Sequence, residues 1–164
     1  MFLTIFTPIY NRKNTILRLY ESIKKQTEKN FEWIIVDDGS QDGTFDVLRK
    51  MERENNAFYI KIIRQENGGK HTAVNRGVRE ARGDIFFIVD SDDYLPVNSV
   101  ETIYKRFRNL PENKSIIGIS AIKAYSLEKK VGKSFNEQIE YIDITNLERK
   151  NHGIEGDRAE VYYT

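Results

Sequence analysis

The chain has 164 residues, the length of one ordinary domain, and its 39% hydrophobic residues can form a buried core. A formal net charge of +1 creates no overall field that would draw the chain onto nucleic acid or anionic lipid. The lack of cysteine excludes thiolate catalysis, cysteine-ligated zinc and disulfide scaffolds. No apolar run reaches the ~18 residues that a membrane-spanning helix needs.

Short apolar runs alternate with helical patterns over the first two-thirds of the chain. Strands are predicted at residues 2–7, 33–36, 59–63, 85–89 and 116–124. Helices are predicted from Asn14 to about Thr27, from Asp42 or Thr44 onwards, from the loop at 66–70 to about Ala81, and over 99–108. The alternation predicts an α/β fold with a mostly parallel central sheet covered by helices on both faces, a three-layer sandwich.

Two details of these helices are specific enough to check. The first helix is expected to bury one face, made of Ile16, Leu17, Tyr20 and Ile23. Gly83 is expected to end the third helix in the left-handed conformation.

After Tyr125 the sequence becomes polar and irregular, and it ends on an apolar stretch, residues 161–164. We expect this stretch to lie uncovered, because no further chain follows to pack on it. A chain cut before the natural end of its domain explains such an ending, and a natural end with a short frayed strand is the alternative.

Acidic residues follow the most apolar predicted strand of the chain. This acidic segment consists of Asp90, Ser91, Asp92 and Asp93. Its three carboxylates repel one another unless a cation or solvent neutralises them, and Mg²⁺ in proteins commonly uses one or two carboxylates together with substrate phosphates. The alternative is an acidic turn that caps the next helix.

Three other predicted strands also end in unusual sequences. Functional residues of open α/β sheets gather at the carboxyl ends of the strands. Asp37 and Asp38 can accept hydrogen bonds from a base or from ribose hydroxyls, although a plain strand-to-helix turn would use the same residues. The glycine loop, made of Asn67, Gly68, Gly69 and Lys70, suits a phosphate, with an ordinary turn as the alternative. The first strand ends in Thr7, Pro8, Ile9, Tyr10, Asn11 and Arg12.

Together and in this order, the four strand ends resemble the inverting glycosyltransferases of family 2, which have the GT-A fold. The resemblance covers residues 1–125 and implies a donor-binding region there, with residues 126–164 beginning the acceptor side of the same domain. It implies the following roles: a wall for the base at Thr7, Pro8 and Tyr10; base contacts from Asp38 and Asp37; a donor pocket lined by Asn67, Gly68, Gly69 and Lys70; ribose or sugar contacts from Asp90 with Ser91; and metal binding by Asp92 with Asp93.

The resemblance also implies the reaction and its setting. A UDP- or GDP-linked sugar would be transferred to a hydroxyl of a glycan or lipid-linked acceptor, with Mn²⁺ or Mg²⁺ bound to the diphosphate. The setting would be bacterial polysaccharide or cell-envelope glycan synthesis in the cytoplasm, with peripheral association at the inner face of the membrane as one alternative. No nucleic-acid partner is expected.

The sequence departs from the family pattern in two places. Val74 stands where many members carry arginine, so Lys70 or Arg76 would have to supply the positive charge. The family's catalytic base belongs to an acceptor-side segment, which we expect beyond Thr164; Asp157 and Glu160 are the candidates within the chain. On this interpretation the chain binds its donor but transfers the sugar poorly.

Two other functions remain alternatives. A sugar nucleotidyltransferase has a similar nucleotide-binding sheet, but it usually carries a glycine-rich signature with lysine or arginine directly after its first strand, where Pro8 and Tyr10 stand here. A non-catalytic nucleotide-binding module is the third hypothesis.

Overall fold

The computed structural model describes residues 2–54, 56–110, 118–122 and 158–164. The chain divides into two compact units, one formed by Met1–Gly118 with Val161–Thr164 and the other by Ile119–Glu160. Of the second unit only short strand portions belong to the described residues. The assignment of residues 1–125 to donor binding and of 126–164 to the acceptor side stays a prediction.

Ten elements make up the described part of the chain. They are β1 (Leu3–Ile9), α1 (Ile16–Lys24), β2 (Phe31–Asp37), α2 (Thr44–Arg53), β3 (Tyr59–Arg64), α3 (Lys70–Glu80), β4 (Ile85–Ile88), α4 (Ser99–Arg108), β5 (Gly118–Ile122) and β6 (Arg158–Tyr163). The order β3-β2-β1-β4-β6-β5 describes the sheet. β1 pairs in parallel with β2 and β4, and β2 with β3, whereas β4 and β6 are antiparallel. The predicted α/β fold with a mostly parallel sheet is confirmed.

The strand register places the ends of β1 to β4 at two opposite edges of the sheet. Ile9 of β1 lies beside Asp37 of β2, which in turn lies beside Arg64 of β3. We call this the carboxyl edge, and we call the opposite edge, where Leu3 lies beside Phe31 and Ile85, the amino edge. The loops that follow β1 to β4 in sequence therefore all begin at the carboxyl edge.

Alternating side chains build the core on both faces of the sheet. On one face Phe6, Ile34, Val36 and Phe86 pack with Ala73 of α3. On the other face the indole of Trp33 stacks on Tyr20 of α1, with ring centroids 6.1 Å apart. The helices thus cover the sheet from both sides, as the apolar strands predict.

α3 approaches the sheet very closely. A Cβ atom added to Gly77 would lie 2.1 Å from the Phe6 ring, so no larger residue fits there without a shift. This contact holds the first turn of α3, which begins at Lys70, at a fixed height above the carboxyl edge.

Two expectations about the helices are wrong. α1 begins at Ile16 rather than near Asn14, ends at Lys24 rather than Thr27, and buries Leu19 in place of Leu17, which is 50% exposed. The observed face, i, i+3, i+4 and i+7 from Ile16, is the better match to a helical period.

Gly83 is the second correction. α3 ends at Glu80, and Ala81 is already extended; the glycines with positive φ are Gly39, Gly43 and Gly69. Gly83 is needed for space instead, because a Cβ atom there would lie 2.5 Å from the Thr4 amide nitrogen.

The apolar stretch at residues 161–164 is not uncovered, contrary to expectation. Val161 is buried, Val161 and Tyr162 pair with Phe87 and Phe86, and the Tyr163 ring packs edge-on against Phe107 at 4.9 Å. The physical reason is that β1 pairs with one side of β4 and leaves the other side available for β6. None of the helices in the described residues has the length and apolar composition to cross a bilayer.

Candidate functional site

The turns that follow β1 and β2 interlock at the carboxyl edge. The Asn11 amide donates to Ser40 Oγ (2.9 Å), and Asn11 Oδ1 accepts from the Gln41 amide (2.9 Å). Asn11 has a φ of 51°, a left-handed conformation in which asparagine is tolerated better than most residues. Tyr10, just before it, is 45% exposed. The turn is thus held rigidly while the Tyr10 ring stays accessible.

Asp38 holds the glycine loop in place. Its Oδ1 accepts hydrogen bonds from Gln65 Nε2 (2.8 Å) and the Gly68 amide (3.0 Å), and its Oδ2 accepts one from the Gly69 amide (2.8 Å). Burial by itself raises the pKa of the Asp38 carboxyl, but these hydrogen bonds and the nearby His71 bring the pKa below its ordinary value. The side chain therefore stays ionised and ties the loop after β3 to the end of β2.

Asp37 is fully buried and shapes the turn after β2. Its Oδ1 accepts from the Ser40 amide (3.1 Å), and its Oδ2 lies 3.5 Å from Arg64 Nε. Arg64 also donates to the Ser40 carbonyl (2.9 Å) and stacks over the Phe45 ring. The buried Oδ2 accepts no hydrogen bond, so the ion pair alone compensates it. Sequence reasoning missed Arg64, since a strand-end arginine carries no signal by itself.

An ion pair connects the glycine loop with the acidic segment. Lys70 Nζ lies 2.6 Å from Asp90 Oδ1, and both side chains are partly open to solvent. Gly69, which precedes α3, has a φ of 88°, so the turn into the helix requires glycine. The first turn of α3, a helix N-terminus that favours anions, therefore lies beside the acidic segment.

The rest of the acidic segment differs in exposure from residue to residue. Ser91 is buried, Asp93 is partly exposed and Asp92 is exposed. The Asp93 amide donates to the Asp90 carbonyl (3.0 Å), and Arg18 Nη2 donates to the Asp92 carbonyl (2.5 Å). Backbone contacts thus fix the segment while the Asp92 carboxylate points where solvent reaches it.

The carboxylates of the acidic segment can hold a hard divalent cation only together with oxygen atoms of a bound ligand. Within the described ranges no group of three or more histidine and acidic side chains is arranged to hold a metal ion. Asp92 and Asp93 offer carboxylate oxygens, and Mg²⁺ is commonly bound by one or two carboxylates plus substrate phosphates. Asp92 and Asp93 are the side chains that would hold Mn²⁺ or Mg²⁺, with a ligand's phosphate oxygens supplying the further ligands.

The predicted wall for the base is only partly accessible. Thr7 is fully buried, and its Oγ1 accepts a hydrogen bond from Trp33 Nε1 (3.0 Å). Pro8 is buried as well, so Tyr10 is the exposed member of the three. Their contact with a base stays a prediction.

The positive charge of the arginine that Val74 replaces was expected from Lys70 or Arg76, and these two residues lie in different surroundings. Val74 packs against the core cluster around Phe6. Arg76 Nη2 lies 3.0 Å from Glu80 along α3, whereas Lys70 reaches Asp90. Of the two, Lys70 is the one whose ammonium group contacts the acidic segment, and its role toward a ligand stays a prediction.

Of the two candidate bases within the chain, Asp157 falls outside the described residues. Glu160 lies within β6. Neither position tests its catalytic role.

Comparison with known protein families and proteins identifies relatives of this chain. The model of the family described as glycosyl transferase family 2 matches residues 4–159. The glycosyltransferase GlyG of Streptococcus pneumoniae is 37% identical over 105 residues, which are 63% of this chain and 34% of GlyG. The putative glycosyltransferase EpsH of Bacillus subtilis is 34% identical over 102 residues, 62% of this chain and 29% of EpsH. The chain thus spans about a third of the length of these relatives.

Solved structures with the same fold include nucleotide-sugar complexes. TarS of Staphylococcus aureus in complex with UDP superimposes with a TM-score of 0.61 at 28% identity, over 66% of this chain and 32% of that one. The mannosyltransferase PcManGT of Pyrobaculum calidifontis, in complex with GDP-Man and Mn²⁺, has a TM-score of 0.66 at 25% identity, over 74% of this chain and 35% of that one.

Proposed function

Because the chain belongs to glycosyltransferase family 2, we propose that it binds a UDP- or GDP-linked sugar at the carboxyl edge for transfer to an acceptor hydroxyl. The acceptor is proposed to be a glycan or a lipid-linked sugar of bacterial polysaccharide or cell-envelope synthesis. The setting is proposed to be the cytoplasmic side of the membrane.

One observation carries the proposal: the loops that follow three parallel strands bring a buried carboxylate, a glycine loop with its lysine and an exposed carboxylate to one edge of the sheet. These are Asp38, the loop it holds, Lys70 and Asp92. An ionised hydrogen-bond acceptor, a helix N-terminus and a cation site are the groups that a nucleoside diphosphate needs. TarS with UDP-GlcNAc and PcManGT with GDP-Man support this ligand class.

Each side chain has a role that its surroundings support. Asp38 and Asp37 would orient the base, the first through the loop it holds and the second through the turn at Ser40. Asp90 would accept hydrogen bonds from ribose or sugar hydroxyls, and Lys70 would exchange part of its contact with Asp90 for a phosphate oxygen. Asp92, with Asp93, would hold Mn²⁺ or Mg²⁺.

Sugar transfer is proposed to be a single displacement that inverts the anomeric carbon. The acceptor oxygen forms a bond to this carbon while the bond to the diphosphate oxygen breaks, and the acceptor proton passes to a general base. A bound divalent cation supplies the charge that stabilises the diphosphate as it leaves. Asp157 and Glu160 are the candidates for the base within this chain.

A thermal-shift panel tests the proposal. UDP, GDP, ADP and CMP are each added with Mn²⁺ and with chelator, and we expect UDP or GDP with Mn²⁺ to stabilise the chain most. A ligand present at 100 times its Kd stabilises the native state by ~2.7 kcal/mol. Equal stabilisation by all four nucleotides, or none by any of them, would contradict the proposed ligand class.

A further inference from the structure

A row of polar side chains on α1 and the turn after it holds the backbone that follows β4. Arg18, Ser22 and Gln26 are spaced by four residues, which places them along one side of the helical path. Each of them bonds a backbone group of residues 92–100, more than 70 residues away in sequence. The row lies outside the strand ends that make up the donor site.

The two inner members form a buried anchor. Ser22 Oγ accepts from the Leu95 amide (3.0 Å). Gln26, only 2% exposed, donates from Nε2 to the Pro96 carbonyl (2.7 Å), and its Oε1 accepts from the Val100 amide (3.1 Å). These contacts fix the start of α4 against α1 and the turn after it.

Arg18 is the outer member and contacts the acidic segment itself. Its Nη2 donates to the Asp92 carbonyl at 2.5 Å, and its guanidinium lies over the Tyr94 ring, 5.4 Å from the centroid. The two contacts lie on either side of Asp93. Next to them is an open groove of about 490 Å³, which Arg18 and Tyr94 help to line. Asp92 and Tyr94 are both exposed, so the two Arg18 contacts add to the backbone contacts that hold this part of the segment.

We infer that Arg18 is a positioning residue for the cation bound by Asp92, an inference that rests on the proposed function. By fixing the Asp92 carbonyl, Arg18 limits the directions that the Asp92 carboxylate can take. The positive charge of Arg18 itself, on the other hand, would weaken cation binding at Asp92 by repulsion. Positioning and repulsion therefore predict opposite effects when Arg18 is removed.

The experiment measures Mn²⁺ binding directly and through nucleotide affinity. Free Mn²⁺ is followed by its electron paramagnetic resonance signal in the presence of UDP and of GDP, and the affinity for each nucleotide is measured by calorimetry with Mn²⁺ and with chelator. The variants are Arg18→Met, Arg18→Lys and, as a control that removes one positive charge from the same groove, Lys25→Met. Melting temperatures are recorded for all of them.

We expect Arg18→Met to weaken Mn²⁺ binding about fivefold, or about 1 kcal/mol, while nucleotide affinity in chelator stays unchanged. Arg18→Lys should recover part of the loss, since lysine can donate to the carbonyl but lacks the planar fork. Lys25→Met should leave Mn²⁺ binding unchanged or make it slightly stronger.

Several results would overturn the inference. Unchanged or stronger Mn²⁺ binding by Arg18→Met would show that Arg18 does not position the cation site. A lower melting temperature of this variant, together with an unchanged ratio of nucleotide affinities with and without Mn²⁺, would show that Arg18 acts through packing alone. If the unaltered chain binds nucleotide equally well in chelator, the proposed metal role fails and this inference fails with it. If nucleotide binding by the unaltered chain depends on Mn²⁺ and Arg18→Met does not change that dependence, the inference about Arg18 fails while the proposed function stands.

Discussion

β2 carries a buried carboxylate near each of its ends, and the two are compensated in different ways. At the amino edge, Glu32 accepts from Thr4 Oγ1 (2.8 Å), from the Arg82 amide (2.7 Å) and from the Arg82 guanidinium, whose Nε and Nη2 lie 3.0 and 2.9 Å away. At the carboxyl edge, Asp38 accepts from one side-chain amide and two backbone amides.

The comparison separates a structural network from a binding one. Glu32 and Arg82 cancel each other's charge, and they join the strands to the turn before β4. The hydrogen bonds to Asp38 come from uncharged groups, and what they hold in place is a loop rather than the sheet. The salt-bridged Glu32 therefore stabilises the fold, whereas Asp38, which holds the glycine loop, shapes a place for a ligand.

Arg82→Met should have the largest effect and should act on stability alone. It leaves the Glu32 carboxylate buried without its cation, and because the Arg82 side chain itself is 63% exposed, the loss should lie below the ~3–5 kcal/mol that breaking a fully buried pair costs. Denaturant unfolding measures the loss, and nucleotide affinity of the folded protein should not change. The double variant Glu32→Gln with Arg82→Met should recover much of the stability. A loss below about 1 kcal/mol would show that the amino edge is no more structural than a surface ion pair.

Asp92→Ala should remove the Mn²⁺-dependent part of nucleotide binding and leave the fold intact. At 100 times the Kd this is a loss of ~2.7 kcal/mol of ligand stabilisation. Without metal, the variant should be as stable as the unaltered chain or slightly more stable, because one of three crowded carboxylates is gone. Glu66→Ala, which removes an exposed carboxylate from the loop after β3, is the matched control. A variant that melts earlier but keeps its nucleotide affinity would make Asp92 a structural cap.

Asp38→Asn should lower both stability and nucleotide affinity. An amide in place of the carboxylate sets an N–H against at least one of the N–H donors, and one unsatisfied donor costs about 1–2 kcal/mol. The same variant tests the pH dependence.

The sign of that pH dependence follows from the lowered pKa of Asp38. Its contribution to stability is present above the unfolded pKa of 3.8 and is lost as the pH falls through that value and then through the lower folded pKa. The unfolding free energy of Asp38→Asn should therefore fall less steeply in this acid range than that of the unaltered chain. Parallel pH profiles would mean that Asp38 is not the group that the loop stabilises as an anion.

Lys70→Met should have the smallest effect on stability. The Lys70–Asp90 pair is open to solvent, and such pairs typically contribute about 0–1 kcal/mol. Nucleotide affinity should fall, because the phosphate loses a cation, while Mn²⁺ alone should bind somewhat better, because one positive charge beside the acidic segment is gone. Calorimetry with each ligand measures both changes, and Lys61→Met, which breaks the ion pair between β3 and Glu80 at the far end of α3, is the control. Equal changes of the nucleotide and Mn²⁺ affinities in Lys70→Met and Lys61→Met would show that Lys70 does not belong to the binding site.

The strand ends of the site were predictable from the sequence, because parallel strands bring the residues that follow them to one edge. The acidic segment and the glycine loop are found there, and Lys70 meets Asp90 although nothing in the sequence pairs them. Arg18, Gln65 and Arg64 were not predictable. Their partners are mostly backbone groups or residues of another loop, and such contacts leave no spacing pattern.

Errors in the fold prediction have a similar physical origin. Gly83 has the residue type and position of a helix cap, but the distance to Thr4 across the sheet decides its role. β6 was expected only as the alternative of a short frayed strand, because its pairing with β4 depends on a long-range choice of neighbour rather than on its own apolar residues. Local pattern predicts which elements form, and it does not predict which elements meet.

The position of β1 between β2 and β4 has a consequence for the order in which the molecule assembles. The contacts of β1 with β2 close a loop of about 28 residues, as in the bond from Thr4 to Glu32, whereas those with β4 close one of about 82, as in the bond from Phe2 to Asp84. The longer closure costs only about 1 kcal/mol more in chain entropy, but contacts that are distant in sequence slow folding. Asp38 and the glycine loop can therefore form early, and the acidic segment joins them when β4 docks. Metal-dependent nucleotide binding would then serve as a probe of the completed sheet in refolding experiments.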